Sequence, residues 1–222
     1  MKKSIYAQWK WKILGVCSGF LLLPGLALAF TVDLTYPNEP GMPIMTYATV
    51  EGEVDETNSK LFHFEIFLDD DLKTSLDGGG NFGFDTFGFN SDIDPSNLSF
   101  TNWNPTTWEI QYTREMAGFG KFDFRLMDKD NPRISSLTFD IQLDQTGTDL
   151  GSLTENNFFL LADSPADNGQ GHFAMHIAGF DFNGKESIYV RDGAAPVPEP
   201  GTLLLLGSGL TGLAFAFRRK KQ

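Results

Sequence analysis

The chain has 222 residues, with 29 acidic and 17 basic side chains and a formal net charge of −12. That balance excludes a nucleic-acid binder, because phosphates and such a surface repel each other. A single cysteine, Cys17, excludes a disulfide-stapled scaffold, and 21 phenylalanines supply the apolar mass instead.

Lys2, Lys3, Lys10 and Lys12 form a basic start, residues 13–23 an apolar run, and Pro24-Gly25 a helix break. Ala27-Leu28-Ala29 then offers an A-x-A cleavage site. This order predicts a secretory signal peptide over residues 1–29, cut after Ala29, with the Sec translocase and signal peptidase as partners. A retained anchor is the alternative. Val16 stands before Cys17, where lipidation requires a small residue, so no lipoprotein is expected.

Residues 30–195 are the expected exported domain, long enough for one core. They hold nine basic and 28 acidic side chains, a net −19. No cysteine remains, so stability has to come from burial. Phe62, Phe64, Ile66 and Leu68 alternate with His63, Glu65 and Phe67. The same period of two runs through Phe122, Phe124 and Leu126, through Leu137, Phe139, Ile141 and Leu143, and through Phe173, Met175 and Ile177. It marks strands with one buried face. Further strands are expected over 31–36, 45–54, 82–89, 107–112, 158–162 and 187–191. Turn clusters separate them, among them Asp77-Gly78-Gly79-Gly80 and residues 90–97. The pattern predicts an all-β fold, an antiparallel β-sandwich of jelly-roll-like form.

Several clusters are candidates for chemistry. Asn90, Asp92 and Asp94 alternate as hard oxygen ligands for Ca²⁺ do. Counting from Asn90, the sixth and twelfth residues are Pro95 and Thr101, where an EF-hand needs Gly and Glu. Asx turns are the competing reading. No cofactor other than Ca²⁺ is suggested. His172 and His176 share a strand face, but a Zn²⁺ site lacks a placed third ligand. Trp103, Trp108 and Tyr112 lie in and beside an Asn-Pro turn, where flat rings either stack on sugars or pin the loop to the core. No Gly-x-Ser-x-Gly marks a hydrolase nucleophile in residues 30–195. No catalytic residue is therefore assigned.

The tail, residues 196–222, has three parts in fixed order. Pro198-Glu199-Pro200 is a rigid extended segment without proline amide donors. Residues 202–217 are uncharged and expected to form a transmembrane helix. At about 1.5 Å per residue it spans roughly 24 Å, short of a core of about 30 Å. Arg218, Arg219, Lys220 and Lys221 follow, extend the reach by snorkelling and set the topology. Lysines before the first apolar run and cations after the second both stay cytoplasmic, which leaves the domain between them exported.

This tail resembles the PEP-CTERM sorting tail of Gram-negative bacteria. The resemblance implies an exosortase as partner, a membrane-embedded protease that reads the Pro198-Glu199-Pro200 region. It implies a single-pass inner-membrane intermediate with a periplasmic domain, then delivery to the cell surface or beyond. It also implies a non-enzymatic envelope or matrix protein associated with extracellular polysaccharide or biofilm. The alternative is a secreted polysaccharide-active hydrolase on the same tail.

Overall fold

A helix has an apolar stripe that repeats every three to four residues, so it cannot bury strictly alternating phenylalanines. A strand buries them all on one face. The computed structural model of the chain, which describes residues 29–128, 133–144, 151–163 and 168–193, has that form. Its strands are β1 (Ala29–Pro37), β2 (Ala48–Val54), β3 (Leu61–Leu68), β4 (Gly78–Phe89), β5 (Leu98–Asn104), β6 (Trp108–Met116), β7 (Gly120–Asp128), β8 (Ser136–Leu143), β9 (Phe173–Phe182) and β10 (Lys185–Asp192). In β3, Phe62, Phe64, Ile66 and Leu68 are buried while Glu65 is exposed.

The strands pair antiparallel in one sheet, in the order β5-β8-β3-β2-β1-β10-β9-β4-β7-β6. The sheet wraps back on itself and is nearly barrel-like. Phe64 of β3 packs 5.3 Å from Phe89 of β4, and Phe100 of β5 packs 5.2 Å from Phe124 of β7, between ring centroids. Those strands are far apart in the hydrogen-bonded order, so two five-strand halves face each other as in a sandwich. β1 joins the halves by pairing with β2 on one side and β10 on the other. The expected antiparallel all-β class therefore forms, with its two layers cut from a single sheet.

The core between the layers is mostly aromatic. Phenylalanines make up eleven of the twelve largest fully buried side chains, and Tyr47 is the other. Each such burial contributes about 1.5–3 kcal/mol, which is how a chain without disulfides holds this fold.

Three segments differ from expectation. Residues 158–162 do not form a strand. Instead Glu155–Phe158 is a 3₁₀ turn, and Phe158 plugs one end of the core against Phe62 and Phe64, at 4.7 and 5.3 Å. The glycine run after Asp77 is not a free turn; it opens β4. β5 was not expected, because its burial does not alternate cleanly. The leader up to Leu28 and the whole tail lie outside the described residues. Ala29 is the first residue of β1, opposite Glu53. Among the described residues no helix is long and apolar enough to cross a membrane.

Candidate functional site

A groove of about 600 Å³ opens at the end of the core opposite the Phe158 plug. That size falls within the roughly 300–1,000 Å³ typical of ligand clefts. Four separate segments build it. The first follows β3 and carries Asp69, Asp70 and, on the short helix α1 (Leu72–Ser75), Lys73. The second is the start of β4, with Phe82. The third is the β5–β6 turn, with Asn104 and Pro105 across a cis peptide bond. The fourth leads into β8 and carries Arg133 and Ser135, with Ser136 opening the strand.

These segments are tied together by backbone hydrogen bonds. Leu68 N donates to Ser135 O at 2.8 Å, and Asp69 N to Tyr47 O at 3.1 Å. Phe84 and Ile134 exchange bonds of 2.9 and 3.0 Å. That exchange needs Gly83, because a Cβ there would lie 2.6 Å from Ile134 O and 2.9 Å from the Arg133 carbonyl carbon. The close approach holds Arg133 in place. Its Nη1 donates to Asn81 O at 3.0 Å, and its Nε lies 3.6 Å from Asp85 Oδ2. Among the described residues, no hydrogen bond to protein occupies the side chains of Asp70, Lys73, Asn104 or Ser136. The groove thus combines two carboxylates, two cations, an amide, hydroxyls and a half-buried ring.

The Trp103, Trp108 and Tyr112 rings do not form one platform. Trp108 is buried against Phe84, with ring centroids 5.6 Å apart. Trp103 stacks on Phe139 at 5.1 Å, and only Tyr112 is largely exposed. Trp103 and Trp108 do flank the Asn104-Pro105 turn, so they seat the turn that reaches the groove. Asn90, Asp92 and Asp94 lie at the opposite end. Asn90 Oδ1 accepts from Asp123 N at 2.6 Å, and its Nδ2 donates to Leu161 O at 2.9 Å. Asp92 Oδ1 accepts from Asn157 Nδ2 at 2.9 Å. Asp94 Oδ1 accepts from Ser96 N at 2.8 Å, an N-cap of the short 3₁₀ turn Pro95–Asn97. Their oxygens tie loops together. Among the described residues no group of three or more His, Cys, Asp or Glu is placed to hold a metal ion.

Each histidine is bonded to an aspartate of another strand or loop. His172 Nδ1 lies 2.6 Å from Asp192 Oδ2, and His176 Nδ1 lies 2.7 Å from Asp85 Oδ1. His63 Nδ1 lies 2.5 Å from Asp140 Oδ1, and its Nε2 lies 3.3 Å from Asp55 Oδ2. Burial pulls His63 down, but the bonds to Asp140 and Asp55 outweigh it and leave its pKa above the ordinary value. Burial likewise pushes Asp85 up, and the His176 bond, with Thr86 and Arg133, brings it below the usual range.

Sequence reasoning missed Phe82, Lys73 and Arg133 as groove residues. They are 60 positions apart at the extremes, and no local pattern links them. The Asn104-Pro105 turn was the one usable signal.

No curated protein matches the chain in sequence. One solved structure, from work on pH-induced modulation of Streptococcus parasanguinis adhesion by Fap1 fimbriae, is similar at 14% identity. The match covers 78% of this chain and 91% of that one with a TM-score of 0.39, too low to carry an argument. Residues 196–220 match the PEP-CTERM protein-sorting motif, and that stretch holds Pro198, Glu199, Pro200 and the first three terminal cations. The C-terminal tail of this chain is a PEP-CTERM sorting motif.

Proposed function

We propose that the protein is a non-enzymatic envelope or matrix component, sorted and cleaved by an exosortase and associated with extracellular polysaccharide. The observation that carries this reading is the sorting motif over residues 196–220. The secretory leader expected over 1–29 agrees with it. So does the charge of the intervening segment, with 28 acidic against nine basic residues, which keeps it away from nucleic acid and anionic lipid. The groove favours binding over hydrolysis. Its carboxylates, Asp69 and Asp70, are neighbours on one turn, whereas glycoside hydrolysis sets a pair on either side of the scissile bond.

Mass spectrometry of the mature C-terminus from the cells that make the protein tests the reading. The expected product ends near Pro198-Glu199-Pro200 and lacks the apolar run. An intact end at Arg218 to Gln222 would mean permanent anchoring and overturn it.

A further inference from the structure

We propose that the groove between the β3–β4, β5–β6 and β7–β8 connections is a binding site for a neutral polysaccharide segment. The inference rests on the reading of this protein as a polysaccharide-associated one, and it names the site and the ligand class. Three features of the groove support it.

The first is the set of donors and acceptors. Asp70, Asn104 and Arg133 end in planar two-pronged groups. A carboxylate accepts twice and an amide donates and accepts, while the Arg133 guanidinium gives Nη1 to Asn81 O and keeps its Nη2 donors. Adjacent sugar hydroxyls, each both donor and acceptor, suit such prongs. Ser136 and Lys73 add a hydroxyl and three further donors. Asp70, Lys73, Asn104 and Ser136 are exposed, and among the described residues their polar atoms are not spent on protein partners. By contrast, the oxygens of Asn90, Asp92 and Asp94 at the other end are already used.

The second is the apolar surface. Phe82 lines the groove and is held edge-on by Phe180, with centroids 6.4 Å apart. Pro105 lines the groove as well, and the two supply apolar wall of the kind that the C–H face of a pyranose covers. A site for a bare ion or a small anion has no use for such a wall.

The third is charge. The groove's two carboxylates and two cations cancel, while residues 30–195 as a whole carry −19. A polyuronate approaching the domain meets a repulsive field, and a neutral chain does not. The groove is open at the surface, which suits the interior of a long chain and needs no free sugar end.

The test uses the mature protein purified from its own cells. Titration calorimetry is run against soluble neutral oligosaccharides (β-1,4-glucan, β-1,3-glucan, β-1,4-mannan and β-1,4-galactan) and against oligogalacturonate. The expected result is saturable binding of at least one neutral series and none of the uronate. Asp70→Ala and Asn104→Ala should each weaken binding about three- to tenfold, the range for one lost hydrogen-bonding side chain. Both side chains lack protein partners among the described residues, so melting temperature should stay at the parent value. Asp92→Ala, at the far end, should leave affinity unchanged. Binding of the uronate alone, no binding of any neutral series, or neutral binding indifferent to both groove variants would each overturn the proposal. Co-sedimentation with the cells' own extracellular polysaccharide separates it from the reading it rests on. Parent and groove variants that sediment equally keep that reading and sink the groove. A parent that fails to sediment sinks both.

Discussion

His63 and Asp140 face each other directly across the β3–β8 pair, with Nδ1 2.5 Å from Oδ1. Asp140 is 7% exposed, and it also accepts from Asn102 Nδ2 at 2.5 Å. Asp55 flanks the other ring nitrogen, and Glu53 is the cross-strand neighbour on β2. Protonated His63 is thus surrounded by carboxylates, and its folded pKa stands above the unfolded value. The stabilisation is fully present below the unfolded pKa of about 6.5 and is lost as pH rises through the folded pKa. Replacing His63 with Gln should therefore cost more stability at pH 5.5 than at pH 8.5. The ring is partly exposed, so the difference should stay within the roughly 0.2–1 kcal/mol of screened pairs. Urea melts at the two pH values measure it, and an equal loss at both would refute the linkage.

Asp123 works in the other direction. Burial raises its pKa, and the charge of Asp163 adds to this against a weak bond of 3.3 Å from Ser91 N. An acid raised on folding costs stability once pH exceeds its unfolded value. Asp123→Asn keeps an oxygen for Ser91 N and removes the charge. The variant should melt a few degrees higher than the parent at pH 7, with the gain fading below about pH 4. A lower melting temperature at pH 7 would show that the carboxylate is needed in its charged form.

The strands that proved easiest to read are those that bury one face evenly. Phe62 to Leu68 alternates in sequence and in burial alike, and Leu137 to Leu143 does so except at Asp140, which is buried opposite His63. β5 was illegible because only Leu98 is buried, while Asn102 adopts a positive φ of 53° that breaks the register opposite β8. Phe158 to Ala162 looks like a strand by composition, yet Asn157 Oδ1 accepts from Thr154 N at 2.7 Å and curls the chain. A local side-chain bond decided that segment, and hydrophobicity could not report it. The groove was legible only at Asn104 and Pro105. Lys73, Phe82 and Arg133 meet because Gly83 admits the Ile134 backbone, and that contact joins two connections distant in sequence.

That contact makes Gly83→Ala informative. The new Cβ would press on Ile134 O and N, at 2.6 and 2.8 Å, and both are backbone atoms with no rotamer to yield. The segment carrying Arg133 would have to move, breaking the exchange with Phe84. The expected loss is about 1–3 kcal/mol of stability, the usual cost of overpacking. The amide of Phe84 donates to Ile134 O, so it should lose hydrogen-exchange protection first, and Arg133 would leave Asn81 O as well. A variant as stable as the parent, with Phe84 still protected, would show that the segment tolerates displacement.

The run over residues 202–217 carries no charge, and Arg218, Arg219, Lys220 and Lys221 follow at once. Each cation near an anionic cytoplasmic leaflet is worth about 1 kcal/mol, so the topology expected from the sequence keeps that end inside. Alkaline phosphatase folds to an active form only outside the cytoplasm, so its fusion after Gln222 reports the topology. The parent fusion should be inactive. Replacing all four cations with Ser should release part of the population to the active side and reduce the amount of processed protein. Orientation follows the Lys/Arg bias at the ends of a span, so the effect should depend on the number of cations removed. Activity in the parent fusion would reverse the assigned topology and place the Pro198-Glu199-Pro200 segment on the wrong side for an enzyme acting on exported protein.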